Sequence, residues 1–104
     1  MSQDKDTILS TMEELKQNLE LFYQQKNQEA LEQFDSILGK LASTVDMLFA
    51  YRESHADFSF DEEKVKSSLV EAMEAMQDKD LILVADIMQY DFIEYIEEIL
   101  PEME

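Results

Sequence analysis

Residues 31–48 read Leu-Glu-Gln-Phe-Asp-Ser-Ile-Leu-Gly-Lys-Leu-Ala-Ser-Thr-Val-Asp-Met-Leu, and this stretch has a clear helical period. Its large apolar residues recur at intervals of three and four, which places them on one face of an α-helix. The recurrence passes through Gly39 without a change of phase. We therefore predict one helix over residues 27–52 and accept a cost of about 1 kcal/mol for glycine relative to alanine. The predicted stripe is Leu31, Phe34, Leu38, Leu41, Val45 and Leu48.

The same period continues on both sides of this helix. It predicts helices over residues 7–25, 61–77 and 81–100, with the longest loop at 53–60 and Pro101 as the stop of the last helix. A chain of 104 residues with one glycine and one proline has too few turn residues for a β-rich fold. Short connections make antiparallel neighbours. The sequence therefore predicts one all-α domain over residues 1–104, an antiparallel up-down four-helix bundle.

Three local features refine this prediction. Asn27 is expected to cap the second helix. Ser36, Gly39 and Ser43 form a strip of small side chains against which another helix can approach closely. Seven methionines indicate either adaptable core filling or a forgiving binding groove. Three of them have core-like spacing and are assigned to the core: Met73, Met76 and Met88.

The fourth helix is apolar nearly all round in its first half, Leu-Ile-Leu-Val-Ala-Asp-Ile-Met. A helix of this kind is normally buried on most sides. In a four-helix bundle, however, every helix keeps a solvent side. Either this helix is central to the core, or its excess apolar surface completes the bundle through a homodimer. The predicted dimer face is Leu83, Val84, Ile87 and Met88.

The second half of this helix is acidic, with eight acids and no base between Asp80 and Glu104. Like charges three or four residues apart destabilise a helix by about 0.2–0.5 kcal/mol per pair, and acids at a helix C-terminus oppose its dipole. Packing of the intervening apolar residues offsets this if the acids only solvate the surface. The functional alternative is a docking face for a basic partner, with two tyrosines as anchors. Its predicted residues are Tyr90, Asp91, Glu94, Tyr95 and Glu98.

The catalytic and metal-binding patterns in this sequence are incomplete. The chain has no cysteine, and its one histidine, His55, lies in the predicted loop without an acid three residues before it. All-α nucleotide pyrophosphohydrolases bind magnesium through E-x-x-E followed by E-x-x-D. Glu29 with Glu32 and Glu71 with Glu74 fit the first element. The only E-x-x-D, Glu32 with Asp35, overlaps the first of these pairs and cannot serve as the second element. We predict no catalytic, cofactor or metal residue and no enzyme activity.

The net charge of −17 opposes direct binding to nucleic acid phosphates and to anionic lipids. The longest aliphatic run, Leu81 to Ala85, is far shorter than the roughly 20 residues that span a bilayer. With a polar N-terminus that lacks a signal-peptide core, we expect a soluble, cytoplasmic protein without membrane contact.

We expect a small, acidic, noncatalytic protein-interaction module: an adaptor, a regulator or a chaperone-like protein with a protein partner. Two alternatives remain open at this stage. One is a nucleic-acid mimic that blocks a basic groove; the other is a carboxylate-based divalent-metal hydrolase of the all-α type.

Overall fold

The computed structural model describes residues 3–103 and confirms an all-α four-helix bundle. The first three helices are α1 (Gln3–Tyr23), α2 (Asn27–Ser54) and α3 (Glu62–Gln77). Successive helices are antiparallel, as short connections require. α1 packs against both α2 and the fourth helix, which also packs against α3.

The fourth helix changes its hydrogen-bonding pattern along its length. It begins as an α-helix at Leu81–Asp86, continues as a π-helix at Ile87–Ile93 and returns to α-helix at Glu94–Ile99. A 3₁₀ turn at Leu100–Glu102 ends it and contains Pro101. We call the whole of residues 81–102 α4. The sequence predicted one regular α-helix over 81–100, so the π-helical segment is a correction.

The π-helical segment keeps one apolar row facing the core. Four residues of α-helix overshoot a full turn by about 40°, so four such steps would rotate Leu100 about 160° away from Val84. A π-helical turn closes hydrogen bonds five residues apart, as the Glu94 N–H does to the Gln89 carbonyl, and turns the row back. All five members of the row are buried: Val84, Met88, Phe92, Ile96 and Leu100.

The helices α2, α3 and α4 begin with different caps. The cap position of α2 is Lys26, and Asn27 is already helical, so the predicted Asn27 cap is wrong. Asp61 caps α3 by accepting from the Lys64 N–H at 3.1 Å. Asp80 caps α4 in the same way, accepting from the Leu83 N–H at 3.3 Å.

The ends of α1 and α3 both form Schellman motifs without glycine. The residue that turns the chain is left-handed in each case, with φ 62° at Gln25 and φ 61° at Lys79. The next amide closes the motif: Lys26 N–H to the Leu21 carbonyl, and Asp80 N–H to the Ala75 carbonyl. Glycine is the usual residue at this position, and its absence explains why the sequence showed no strong stop signal there.

The buried row of α2 is rotated relative to the predicted stripe. Phe34, Leu41 and Leu48 are buried as predicted, whereas Leu38 and Val45 are half-buried and Leu31 is exposed. Side chains closer to α1 fill the core instead, because α2 packs more tightly on α1 than on α3. The complete buried row is Ala30, Phe34, Ile37, Leu41, Thr44, Leu48 and Tyr51.

Helix α3 presents small side chains to α4 and large ones to α2. Its buried residues are Val65, Ser68, Ala72 and Ala75. Met73 and Met76 are half-buried and pack against the core at its edge, whereas Met88 is fully buried as predicted. The small side chains let the α3 and α4 backbones come close, and α2 and α3 stay farther apart. We call the junction between these two helices the α2/α3 seam.

Candidate functional site

One face of α4 points away from the core and carries acidic, aromatic and aliphatic side chains. Tyr90 is 59% exposed, Glu94 and Glu98 are exposed, and Ile82 is exposed one helical turn before half-buried Asp86. These residues recur every four positions, as the buried row does, and the π-helical segment keeps them aligned. We call this set of five residues the α4 outer line.

The structure separates the five residues predicted as a docking site. Tyr90, Glu94 and Glu98 lie on the α4 outer line, whereas Asp91 and Tyr95 are half-buried. The Tyr95 hydroxyl accepts from the Asp61 N–H at 2.5 Å, so this tyrosine anchors the start of α3 rather than facing solvent. Asp91 lies in the π-helical segment, so the regular α-helical spacing that placed it on one face with Glu94 does not apply there.

The predicted dimer face is mostly inside the bundle. Val84 and Met88 have no exposed surface, and Ile87 is buried, so these three residues are not available to a second copy. They belong to the core because α4 packs against both α1 and α3. Leu83 alone remains accessible, at 43%. Homodimerisation itself stays a prediction, and a contact of this kind would have to use Ile82 and Leu83.

A partly buried hydrogen bond joins α1 to Asp86, the second residue of the α4 outer line. The Tyr23 hydroxyl donates to Asp86 Oδ1 at 2.6 Å. Desolvation raises the pKa of Tyr23 well above its usual value, and the bond to Asp86 and the nearby Tyr90 raise it further. Tyr23 therefore stays protonated and holds the Asp86 carboxylate in place at neutral pH.

Lys16 and Lys64 contact α4 through Glu97 and Tyr95, which are not members of the α4 outer line. Lys16 pairs with Glu97 at 2.5 Å, and this bond is the main cause of its raised pKa. Lys64 lies 5.7 Å from the centre of the Tyr95 ring. Within residues 3–103, Glu94 and Glu98 form no ion pair. Their charge is therefore available to a partner.

The loop between α2 and α3 is held by packing among aromatic side chains and Arg52. The Arg52 guanidinium lies 4.9 Å from the Phe49 ring centre and 4.8 Å from that of Phe60, and it pairs with Glu62 at 2.9 Å. His55 stacks on Tyr51 with ring centres 3.8 Å apart and is exposed, as predicted. Among the described residues, no three acidic or histidine side chains lie close enough to hold one metal ion.

The small-residue strip of α2 faces an open groove along α1. The groove has a volume of about 780 Å³, and its lining includes Ser36, Gly39 and Ser43 together with Thr7 and Ser10. A Cβ added to Gly39 would meet nothing within 4 Å. No helix in the described part of the chain fills this groove, so the close approach predicted there does not occur within the bundle.

The α2/α3 seam holds a second opening that the sequence prediction did not locate. It is a cavity of about 140 Å³. The signal was present in the methionine count, which left a forgiving groove as one interpretation. The lining residues are Leu31, Phe34, Asp35, Leu38, Met73 and Met76.

These features define an acidic, all-α four-helix bundle with one strongly acidic helix face. The chain matches the family model described as Domain of unknown function (DUF8042) over residues 4–102 and belongs to that family. No curated protein and no solved structure matches it. Within residues 3–103, no helix combines the length and the apolar character that crossing a bilayer requires.

Proposed function

We propose that this protein is a small, acidic, noncatalytic interaction module that binds a basic protein surface through the α4 outer line. The observation that carries the proposal is the exposure of Tyr90 on the same face as Glu94 and Glu98, which form no ion pair within residues 3–103. A tyrosine buries a large rigid surface at low entropic cost, and it is enriched among residues that dominate binding energies.

The charge distribution supports a basic partner. Between Asp80 and Glu104 there are eight acids and no base; Glu104 lies outside the described residues. Neighbouring acids on one helix repel each other, so a cationic partner would relieve a cost that the free protein carries. A field of this sign also speeds the encounter with a basic surface.

The apolar side chains of the α4 outer line favour a mixed apolar and basic protein surface as the target. They fit less well with the basic groove that a nucleic-acid mimic would block. A nucleic-acid mimic is expected to present uninterrupted rows of carboxylates. Here Ile82 and Tyr90 interrupt the row, with Leu83 exposed beside Ile82. Apolar side chains of this kind match the mixed core of a protein interface. For the divalent-metal hydrolase, no observation within residues 3–103 offers support.

The test is a pull-down from the native host's lysate with the tagged protein, eluted in rising salt and read by mass spectrometry. We expect a basic partner that moderate salt releases, because salt screens exposed charge pairs. The doubly substituted Glu94→Gln, Glu98→Gln protein should lose this partner, as should Tyr90→Ala. The matched control is Glu29→Gln with Glu32→Gln, which removes the same charge from exposed positions of α2.

Equal loss of the partner in the control would show that net charge alone drives the capture. Retention of the partner by both α4 variants would show that the outer line is not the binding face. Either result overturns the proposal.

A further inference from the structure

We propose that the α2/α3 seam is a docking groove for an amphipathic helix of a partner protein, with basic residues flanking the apolar stripe of that helix. This groove lies on a different face from the α4 outer line. The two proposals can therefore fail independently of each other.

The groove is apolar, accessible and not closed by the fold itself. Leu31 is 38% exposed at its edge, and Leu38, Met73 and Met76 are half-buried along it. Val70, three residues before Met73, is 55% exposed. Exposed apolar surface that is grouped in this way marks interaction sites more often than single scattered residues do.

The width of the seam follows from the packing of α3. Ser68, Ala72 and Ala75 bring α3 close to α4, so the large side chains of α3 are left to span the distance to α2. They do not fill it, and the cavity of about 140 Å³ remains. An inserted aliphatic side chain has room there. Methionine side chains adapt their shape readily, so Met73 and Met76 can repack around it.

The negative charge at the edge of the groove favours an occupant with basic side chains. Asp35 lines the cavity and makes no ion pair with any described residue. The whole chain carries a net charge of −17. A basic residue on the occupant would pair with Asp35 and be attracted over a longer range by the rest of the protein.

The shape of the groove favours a helix as the occupant. The lining residues of α2 extend from Leu31 to Leu38, which is about two helical turns. An amphipathic helix presents apolar residues at i, i+3, i+4 and i+7 over the same length. We infer that the occupant presents an aliphatic anchor to the cavity beside Met73 and Met76. Its basic side chains then lie at the rim, where Asp35 is.

The test uses a synthetic peptide of about 14 residues with leucines at i, i+3, i+4 and i+7 and lysines elsewhere. A scrambled peptide of the same composition controls for charge. Binding is followed through the methyl resonances of ¹³C-labelled methionine. We expect saturable shifts of the Met73 and Met76 methyl groups with the first peptide, much weaker shifts with the scrambled one, and little change at the buried Met12 and Met88.

Two pairs of variants locate the site. Leu31→Gln should raise the Kd roughly three- to sevenfold, as expected when its 38% exposed side chain no longer contributes apolar contact. Leu9→Gln, at 40% exposure on α1, should leave the Kd unchanged. Asp35→Asn should raise the Kd about two- to fivefold at low salt and leave it unchanged at high salt. Asp46→Asn is the matched control, because it removes the same charge from an exposed position of α2 outside the cavity, and it should leave the Kd unchanged.

Equal binding of the scrambled peptide would overturn the proposal, and so would the absence of saturable shifts at Met73 and Met76. If the amides of residues 90–98 shift instead, the peptide binds the α4 outer line, and only the groove is refuted. The converse outcome is that the peptide binds in the groove while the α4 variants still capture the lysate partner. That combination would refute the proposal for the α4 outer line and leave the groove proposal intact. Helical circular dichroism of each variant confirms that it is folded.

Discussion

Replacement of Asn18 by aspartate tests how strictly the α1–α2 interface excludes water. Asn18 has no exposed surface, and its Nδ2 donates to the Ala30 carbonyl at 2.9 Å. Its Oδ1 is buried without a hydrogen-bond partner among the described residues. Aspartate has the same shape, but when ionised it cannot donate to Ala30 and leaves a buried charge beside a carbonyl oxygen. The variant therefore changes charge at nearly constant packing.

The expected cost follows from the pKa of the new carboxyl group. In the unfolded chain an aspartate titrates near 3.9, and full burial raises the pKa by up to about 3–5 units. At pH 7 the penalty is then about 4 kcal/mol, at about 1.4 kcal/mol per unit. Because the folded pKa is the higher one, the penalty is absent below the unfolded pKa and grows as the pH rises. At pH 4 it should fall below about 1 kcal/mol, since the protonated acid can donate to Ala30.

The measurement is urea denaturation followed by helical circular dichroism, which is suitable because the chain has no tryptophan. Stability is compared with the unsubstituted protein at each pH between 4 and 7, so that effects of the overall charge cancel. Gln17→Glu is the matched control, because it adds the same charge at an exposed position of the same helix. It should change stability by no more than about 0.5 kcal/mol.

A cost of equal size at pH 4 and pH 7 would mean that Asn18→Asp acts through packing rather than through a buried charge. No cost at pH 7 would mean that water reaches this part of the α1–α2 interface. Either result would refute the reasoning.

Three further variants probe other parts of the molecule. Tyr23→Phe should cost about 1 kcal/mol near neutral pH through loss of the bond to half-buried Asp86. Because the Tyr23 pKa is raised in the folded state, the unsubstituted protein should lose this advantage as the pH rises above about 10, and a urea series from pH 8 to 11 would reveal it. A constant difference across that series would contradict the assignment. Gly39→Ala should raise the free energy of unfolding by up to about 1 kcal/mol, because a Cβ there meets nothing; a lower melting temperature would contradict this. Arg52→Gln should raise the Glu62 pKa towards its ordinary value, because the Arg52 hydrogen bond is the main cause of its lowering. An NMR titration of the Glu62 carboxyl carbon measures this, and an unchanged midpoint would contradict it.

The helices were predictable because apolar period is a local property of the chain. A recurrence of three and four defines one face of a helix without reference to its neighbours. The all-α bundle and the approximate helix bounds therefore followed from the sequence. The exposed part of the proposed site followed in the same way, since Tyr90, Glu94 and Glu98 lie opposite the apolar residues of their helix.

The π-helical segment was not predictable from the same pattern. Ile87–Ile93 contains no glycine or proline that would signal a departure from α-helix. Its cause is the packing of a row with four-residue spacing, from Val84 to Leu100, against two neighbouring helices. The placement of Asp91 and Tyr95 depends on this segment and on the contact of Tyr95 with Asp61.

Apolar spacing and charge along the chain were enough to predict four helices, of which the first three are amphipathic and the last is acidic in its second half. Which apolar residues are enclosed depends on how these helices pack together. Leu31 and Met73 have the period of core residues, yet they border an open seam, while Val84 and Met88 are sealed inside. The physical reason is that burial depends on the distance between neighbouring helices. Small side chains such as Ala72 and Ala75 set that distance between α3 and α4, and local spacing does not encode it.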